Sequence, residues 1–273
     1  MSPRTSAGTA LTNAAYEAPI DKTQPARGLR LLQPQTLGSI IRNTVSIYVR
    51  NWITICLIYI LPLLPIAALQ GALEADGYKG WAAILLLIQF PLDIIVGVAL
   101  IIAVSDICIG LVPNVRRAYR RGFANSGRLV MTYLLMMVLF LIGFMVLVVP
   151  GLVLAVWYMF ALPAVVLENF RGRAALRRSR ELGRGFCWRN FGIGLLGSII
   201  AGIMVLVISF FVGILDHLTL GNSHPLLEAI LGQTISIALF APLSSIPLVL
   251  LYYDMRARKE GYGAAQLIED LRI

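Results

Sequence analysis

Six long apolar stretches, separated by short charged segments, leave this chain few ways to fold. They run over residues 52–70, 81–109, 129–149, 152–167, 191–215 and 226–252. Crossing a bilayer as a helix takes about 20 apolar residues. Four stretches exceed that need, and 52–70 meets it. The stretch 152–167 is short; it spans by thinning the bilayer or by extending into Gly151 and Glu168. The chain is 58% hydrophobic, against about 45–50% apolar residues in soluble domains. A soluble fold cannot bury six such segments in 273 residues. The expected fold is all-α and polytopic.

The charge is one-sided. With the gaps between stretches alternating between two faces, 22 of the 23 Lys and Arg residues fall on the face of the N-terminus, and only Lys79 on the other. This is the positive-inside pattern, and it predicts both termini in the cytoplasm. The net charge of +9 does not point to nucleic acid, because the basic residues are spread over the loops and form no basic domain. Twenty of them are Arg, whose planar guanidinium suits phosphate headgroups; an Arg-favouring genome gives the same composition. Cys56, Cys108 and Cys187 have no metal or redox spacing, so no disulfide is expected. Residues 1–35 lack an apolar signal core and read as a disordered cytoplasmic tail. A six-helix membrane domain over 36–255 and a C-terminal tail over 256–273 complete the expected organisation.

Three segments read as basic amphipathic helices at the membrane surface. In 37–51, Ser39, Arg42, Asn43, Ser46 and Arg50 share a face opposite Leu37, Ile40, Ile41, Thr44, Val45 and Tyr48. In 113–123, Arg116, Arg117, Arg120 and Arg121 share a face, and Pro113 suits a helix start. In 173–186, Arg173, Arg177, Arg180 and Arg184 form a narrow stripe. Each segment precedes two spans, which suggests three parallel hairpin repeats. Arg50-Asn51-Trp52 and Arg189-Asn190-Phe191 occupy equivalent places in units one and three. The outer loops are short: 71–80, a turn at Pro150-Gly151, and 216–225.

Catalytic patterns are scarce. His217 and His224 lie seven apart in an outer loop, without companion ligands, so no metal or other cofactor is expected. Tyr253-Asp254 matches half of an intramembrane aspartyl-protease motif, but its Gly-x-Gly-Asp partner is missing and Asp254 falls at the surface. Asp93 is the most unusual residue, about mid-membrane. A carboxylate there costs about 2.5–3.5 kcal/mol on insertion scales. One reading makes Asp93 polar glue, bonded to the carbonyl freed by Pro91 or to the stripe Gln233, Thr234 and Ser236; the other makes it an ion, proton or substrate site. Asp106, Glu168 and Asp254 fall at the basic ends of spans and read as structural ion-pair partners. Gly194, Ser198 and Gly202 repeat at i, i+4 and i+8, a spacing that permits close helix approach, either inside the chain or at a homodimer seam.

The chain resembles the membrane domain attached to some bacterial glycerophosphoryl diester phosphodiesterases, and related stand-alone membrane proteins. The matching stretches are Leu37-Gly38 with Tyr48-Val49-Arg50-Asn51-Trp52, Ala103-Val104-Ser105-Asp106, Val149-Pro150-Gly151, 163–168 and 174–179. The sharpest is 251–262, Leu-Tyr-Tyr-Asp-Met-Arg-Ala-Arg-Lys-Glu-Gly-Tyr. The chain departs from the pattern at Arg180, where an aromatic is expected, and at Gly183, where threonine is expected. The resemblance implies the bacterial inner membrane and supplies no catalytic residues. The leading expectation is a non-enzymatic membrane module that binds anionic phospholipid headgroups and a protein partner at its cytoplasmic face. The alternative is a small transporter using Asp93, and a lipid-acting enzyme ranks third.

Overall fold

The structure, a computed structural model, describes residues 34–263 and 266, except 109, 125, 221–231 and 233. Residues 1–33 of the expected N-terminal tail, half of the expected C-terminal tail, His224 and Gln233 therefore lie outside the described residues. The described residues form helices and no strand. In chain order these are α1 (Leu37–Ala75), α2 (Lys79–Cys108), α3 (Val115–Ala124), α4 (Ser126–Val146), α5 (Val148–Tyr158), α6 (Ala161–Glu168), α7 (Arg173–Gly183), α8 (Cys187–Leu220), α9 (Ser236–Phe240) and α10 (Pro242–Glu260). Six segments are long and apolar enough to cross a membrane, with α5 and α6 together making the fourth. The chain is a multi-pass membrane protein.

Helix α1 combines two expected elements. Asn51 leaves the helical region (φ −123°, ψ 19°), so residues 37–50 form an arm set at an angle to the first span. The Asn51 side chain donates to the Ile47 carbonyl and holds the bend. At the far end the span continues beyond residue 70 to Ala75, and the outer loop tightens to a turn at Asp76 and Gly77 (φ +81°). That φ is open to glycine at little steric cost.

The second outer turn differs from expectation. The break between α4 and α5 is Leu147 (φ −170°, ψ 154°), and Pro150-Gly151 lies inside the first turn of α5. Proline fits there because a first-turn N–H has no helical partner. Glycine serves the crossing: a Cβ at Gly143 would stand 3.2 Å from the Gly151 Cα.

The fourth span is broken at Met159 and Phe160, and the cause is a side chain from another helix. Ser179 of α7 donates its hydroxyl to the Trp157 carbonyl (2.8 Å) and accepts the Phe160 N–H (3.1 Å). The inserted hydroxyl replaces helical bonds that the break removes.

Helix α2 is central. Within its spanning window 72% of residues are buried, against 6% for α8, which lies at the periphery. Helices α1, α3, α4, α6 and α10 pack around α2. The small-residue seam on α8 lies one register away from expectation. Ile193, Gly197 and Ala201 face inward, while Ser198 and Gly202 are exposed and Gly194 lies against Met159. A Cβ at Gly197 would stand 3.2 Å from the Leu243 carbonyl oxygen, so Gly197 carries the close contact with α10. Helix α10 also runs past the expected domain end at Met255 and stops at Gly261 (φ +63°).

Candidate functional site

Helix α7 is rich in Ala, Leu and Arg, all strong helix formers. Its start is held by α4, where the Gly172 N–H donates to the Thr132 hydroxyl (2.8 Å). Its end is held by α10: Lys259 donates to the Glu181 and Arg184 carbonyls at 2.6 and 2.7 Å, placing a cation where the helix dipole favours one. Ala175, Leu176, Ser179 and Leu182 are buried beneath it. Arg173, Arg177, Arg180 and Arg184 are exposed on the other side, as their spacing predicts.

Three of these arginines converge. Arg177, Arg180 and Arg184 line one pocket of about 390 Å³ with Trp157, Glu181 and Cys187; Arg173 stands outside it. The Arg180 guanidinium lies 4.0 Å from the centre of the Trp157 ring. Stacking of this kind restrains the side chain while leaving its N–H groups free to bind. Arg177 pairs with Glu181 at 2.8 Å, but its side chain is 83% exposed, so the pair contributes little stability. The pocket lining carries three arginines and one glutamate, an excess of positive charge. Trp157 and Cys187 carried no signal in the sequence, since neither belongs to a periodic pattern.

The α3 arginines divide differently. Arg116 and Arg120 are exposed. Arg117 turns inward and donates to Asp106 at 2.6 Å. Arg121 is half-buried, within electrostatic range of the same carboxylate. Two of the eight candidate headgroup arginines are thus engaged inside the fold.

Beneath α7 lies an ion network. Arg178 reaches Glu168 at 2.7 Å and Glu260 at 2.5 Å, joining α6, α7 and α10. Burial opposes the Arg178 charge, but hydrogen bonds to Glu260 and Glu168 outweigh it and hold its pKa above the ordinary arginine value. Tyr252 donates to Glu168, and Arg256 lies 3.4 Å from the Tyr262 ring centre and 3.2 Å from Glu260. Asp254, fully buried, forms the second half. It accepts from Arg189 (2.6 Å), Arg258 (3.0 Å) and the Gln35 N–H (2.6 Å), and both arginines also donate to the Gln35 carbonyl. The start of α1, the start of α8 and the end of α10 are stapled together there. The ion-pair readings of Asp106, Glu168 and Asp254 agree with this geometry.

Asp93 stands apart. Its side chain is exposed on α2 and forms no hydrogen bond among the described residues. Tyr59 and Tyr133 lie within electrostatic range of it. Thr234 and Ser236 are buried and not bonded to it, and Gln233, the third residue of the expected stripe, lies outside the described residues. Asn190 is also buried, with its side-chain amide unpaired among the described residues. No protein-family model, curated protein or solved structure matches this chain.

Proposed function

We propose that this protein is a non-enzymatic module of the bacterial inner membrane, with both termini cytoplasmic. It binds anionic phospholipid headgroups, and a protein partner, at its arginine-bearing face. The observation that carries this reading is the convergence of Arg177, Arg180 and Arg184 on one pocket with a single countercharge, Glu181. The basic helices α3 and α7 lie in the membrane surface plane in this reading, with Arg116, Arg120 and Arg173 adding to the field. Kinship with the phosphodiesterase-linked membrane domains belongs to the same proposal. Its support is that the stretch carrying the resemblance supplies Tyr252, Asp254, Arg256, Arg258 and Glu260 to the ion network.

Each juxtamembrane arginine gains about 1 kcal/mol from an anionic surface. Replacing Arg177, Arg180 and Arg184 with Gln is expected to lower retained phosphatidylglycerol and cardiolipin on the order of 100-fold, measured as affinity in mixed micelles. Unchanged affinity reduces the stripe to a topology signal. Orientation is tested by single cysteines in a background without native cysteines. Positions Lys79 and Asn222 are expected to label from outside intact cells and Arg120 is not; labelling at Arg120 overturns the orientation.

The carrier reading rests on the exposed, unpaired Asp93. Proton or cation flux in proteoliposomes, abolished by Asp93→Asn, would favour it over the module.

A further inference from the structure

The arginine pocket and an apolar groove border one another around the start of α8. Cys187 lines the pocket and also a shallow depression of about 420 Å³ formed by residues 185–189. Trp188 and Arg189 of that depression line the next cavity, a groove of about 600 Å³. Its two walls are Leu37, Ile41 and Val45 of the α1 arm, and Gly192, Leu196 and Ile200 of α8. The bend at Asn51 sets the arm at its angle to the first span.

Length and charge both describe the occupant. From Trp188 to Ile200 the groove follows α8 for about 18 Å, close to the roughly 15 Å depth of one hydrocarbon leaflet. Trp188, 86% exposed, stands at the mouth, where an indole marks the membrane–water boundary. Arg189 at the neck pairs with Asp254 at 2.6 Å, a carboxylate it shares with Arg258 at 3.0 Å. The larger excess of positive charge, three arginines against Glu181, lies at the pocket end. An occupant must therefore be anionic at one end and one leaflet long and apolar at the other.

We infer that one anionic phospholipid bridges these adjoining cavities, with its phosphate among Arg177, Arg180 and Arg184 and one acyl chain along the groove between the α1 arm and α8. The inference rests on the headgroup reading above and adds a defined seat for the chain. A lipid held at both ends is a resident ligand, which exchanges more slowly than the lipid around the other spans.

The test uses the full-length protein in micelles with dioleoylphosphatidylglycerol carrying a diazirine in one acyl chain. After photolysis, labelled peptides are mapped by mass spectrometry. Labelling is expected to concentrate on Ile41, Leu196 and Ile200 over Phe210 and Phe211, which are comparably open on α8 but lie outside the groove. Gly192 has no atom within 4 Å of where a Cβ would stand, so Gly192→Trp fills the groove without displacing the fold. It is expected to lower phosphatidylglycerol retention at least tenfold with an unchanged melting temperature. Ile200→Trp, in the same groove, repeats the measurement should Gly192→Trp fail to fold. Even labelling along α8, with retention unchanged in the folded tryptophan variant, overturns the chain site; the headgroup reading survives if the arginine-to-Gln protein still loses lipid. Unchanged retention in the arginine-to-Gln protein overturns both. A disulfide-linked dimer formed through Leu196→Cys assigns the groove to a second copy and also overturns the lipid seat.

Discussion

Helices α3 and α7 are similar in composition and opposite in use. Each carries a cluster of arginines beside a buried or half-buried carboxylate at the end of a span. On α3 the carboxylate is Asp106, and it captures Arg117, a member of the predicted face, leaving that side chain only 16% exposed. On α7 the carboxylate is Glu168, and it captures Arg178, which lies off the predicted stripe. The stripe Arg177, Arg180 and Arg184 remains outside and forms a pocket. Arginine number therefore does not measure binding capacity. What decides is whether the carboxylate below faces the stripe or the row beside it.

Removal of the inward arginines breaks this comparison most severely. Arg117→Gln leaves Asp106 buried without its strongest partner, and is expected to cost about 3–5 kcal/mol in reversible unfolding in micelles. Arg116→Gln, one residue away and exposed, should stay within about 0.5 kcal/mol. Equal effects would show that Asp106 does not depend on Arg117.

On α7 the corresponding pair is Arg178 and Arg177. Arg178→Gln releases Glu168 and Glu260 together, but these groups are partly solvated, so a loss of about 2–3 kcal/mol is expected. Arg177→Gln should cost less than about 1 kcal/mol while weakening phosphatidylglycerol binding. If Arg177→Gln destabilises as much as Arg178→Gln, the division between outward and inward rows fails.

An effect smaller than those of the inward arginines concerns an anchor described for α7 alone. Ser179→Ala removes the hydroxyl that serves Trp157 and Phe160 in the broken fourth span, and should cost about 1–2 kcal/mol. Because Trp157 lines the arginine pocket, the same variant should weaken lipid binding although no arginine changes. Unaltered thermal stability and binding would mean that the break at Met159 and Phe160 forms without Ser179.

Much of this was legible in the residues. The spans and basic helices follow from period and length, and the bend at Asn51 falls where the amphipathic pattern gives way to a continuous apolar run. The outward register of Arg173, Arg177, Arg180 and Arg184 was legible because a buried face of Ala175, Ser179 and Leu182 opposes it. The small-residue seam was not. Within a uniformly apolar helix, lipid and protein interior look alike, so nothing marks Gly197 over Gly194 or Ser198 as the inward residue. Pro150-Gly151 was read as the turn itself, when proline is equally suited to the helix start just beyond one.

The sequence by itself determined that this chain has six segments long and apolar enough to cross a membrane, with nearly all of its positive charge in alternate gaps between them. Both follow from transfer energies, which depend on how many apolar or charged groups lie together in the chain. Only the tertiary structure decided which arginines are spent on Asp106, Glu168 and Asp254, that Ser179 enters the break in the fourth span, and that the arginine pocket and the groove beside α8 border one another at the start of that helix. Those outcomes depend on ångström-scale contacts between residues such as Gln35 and Asp254, 219 positions apart. Such distances are set when helices pack, and no local pattern records them.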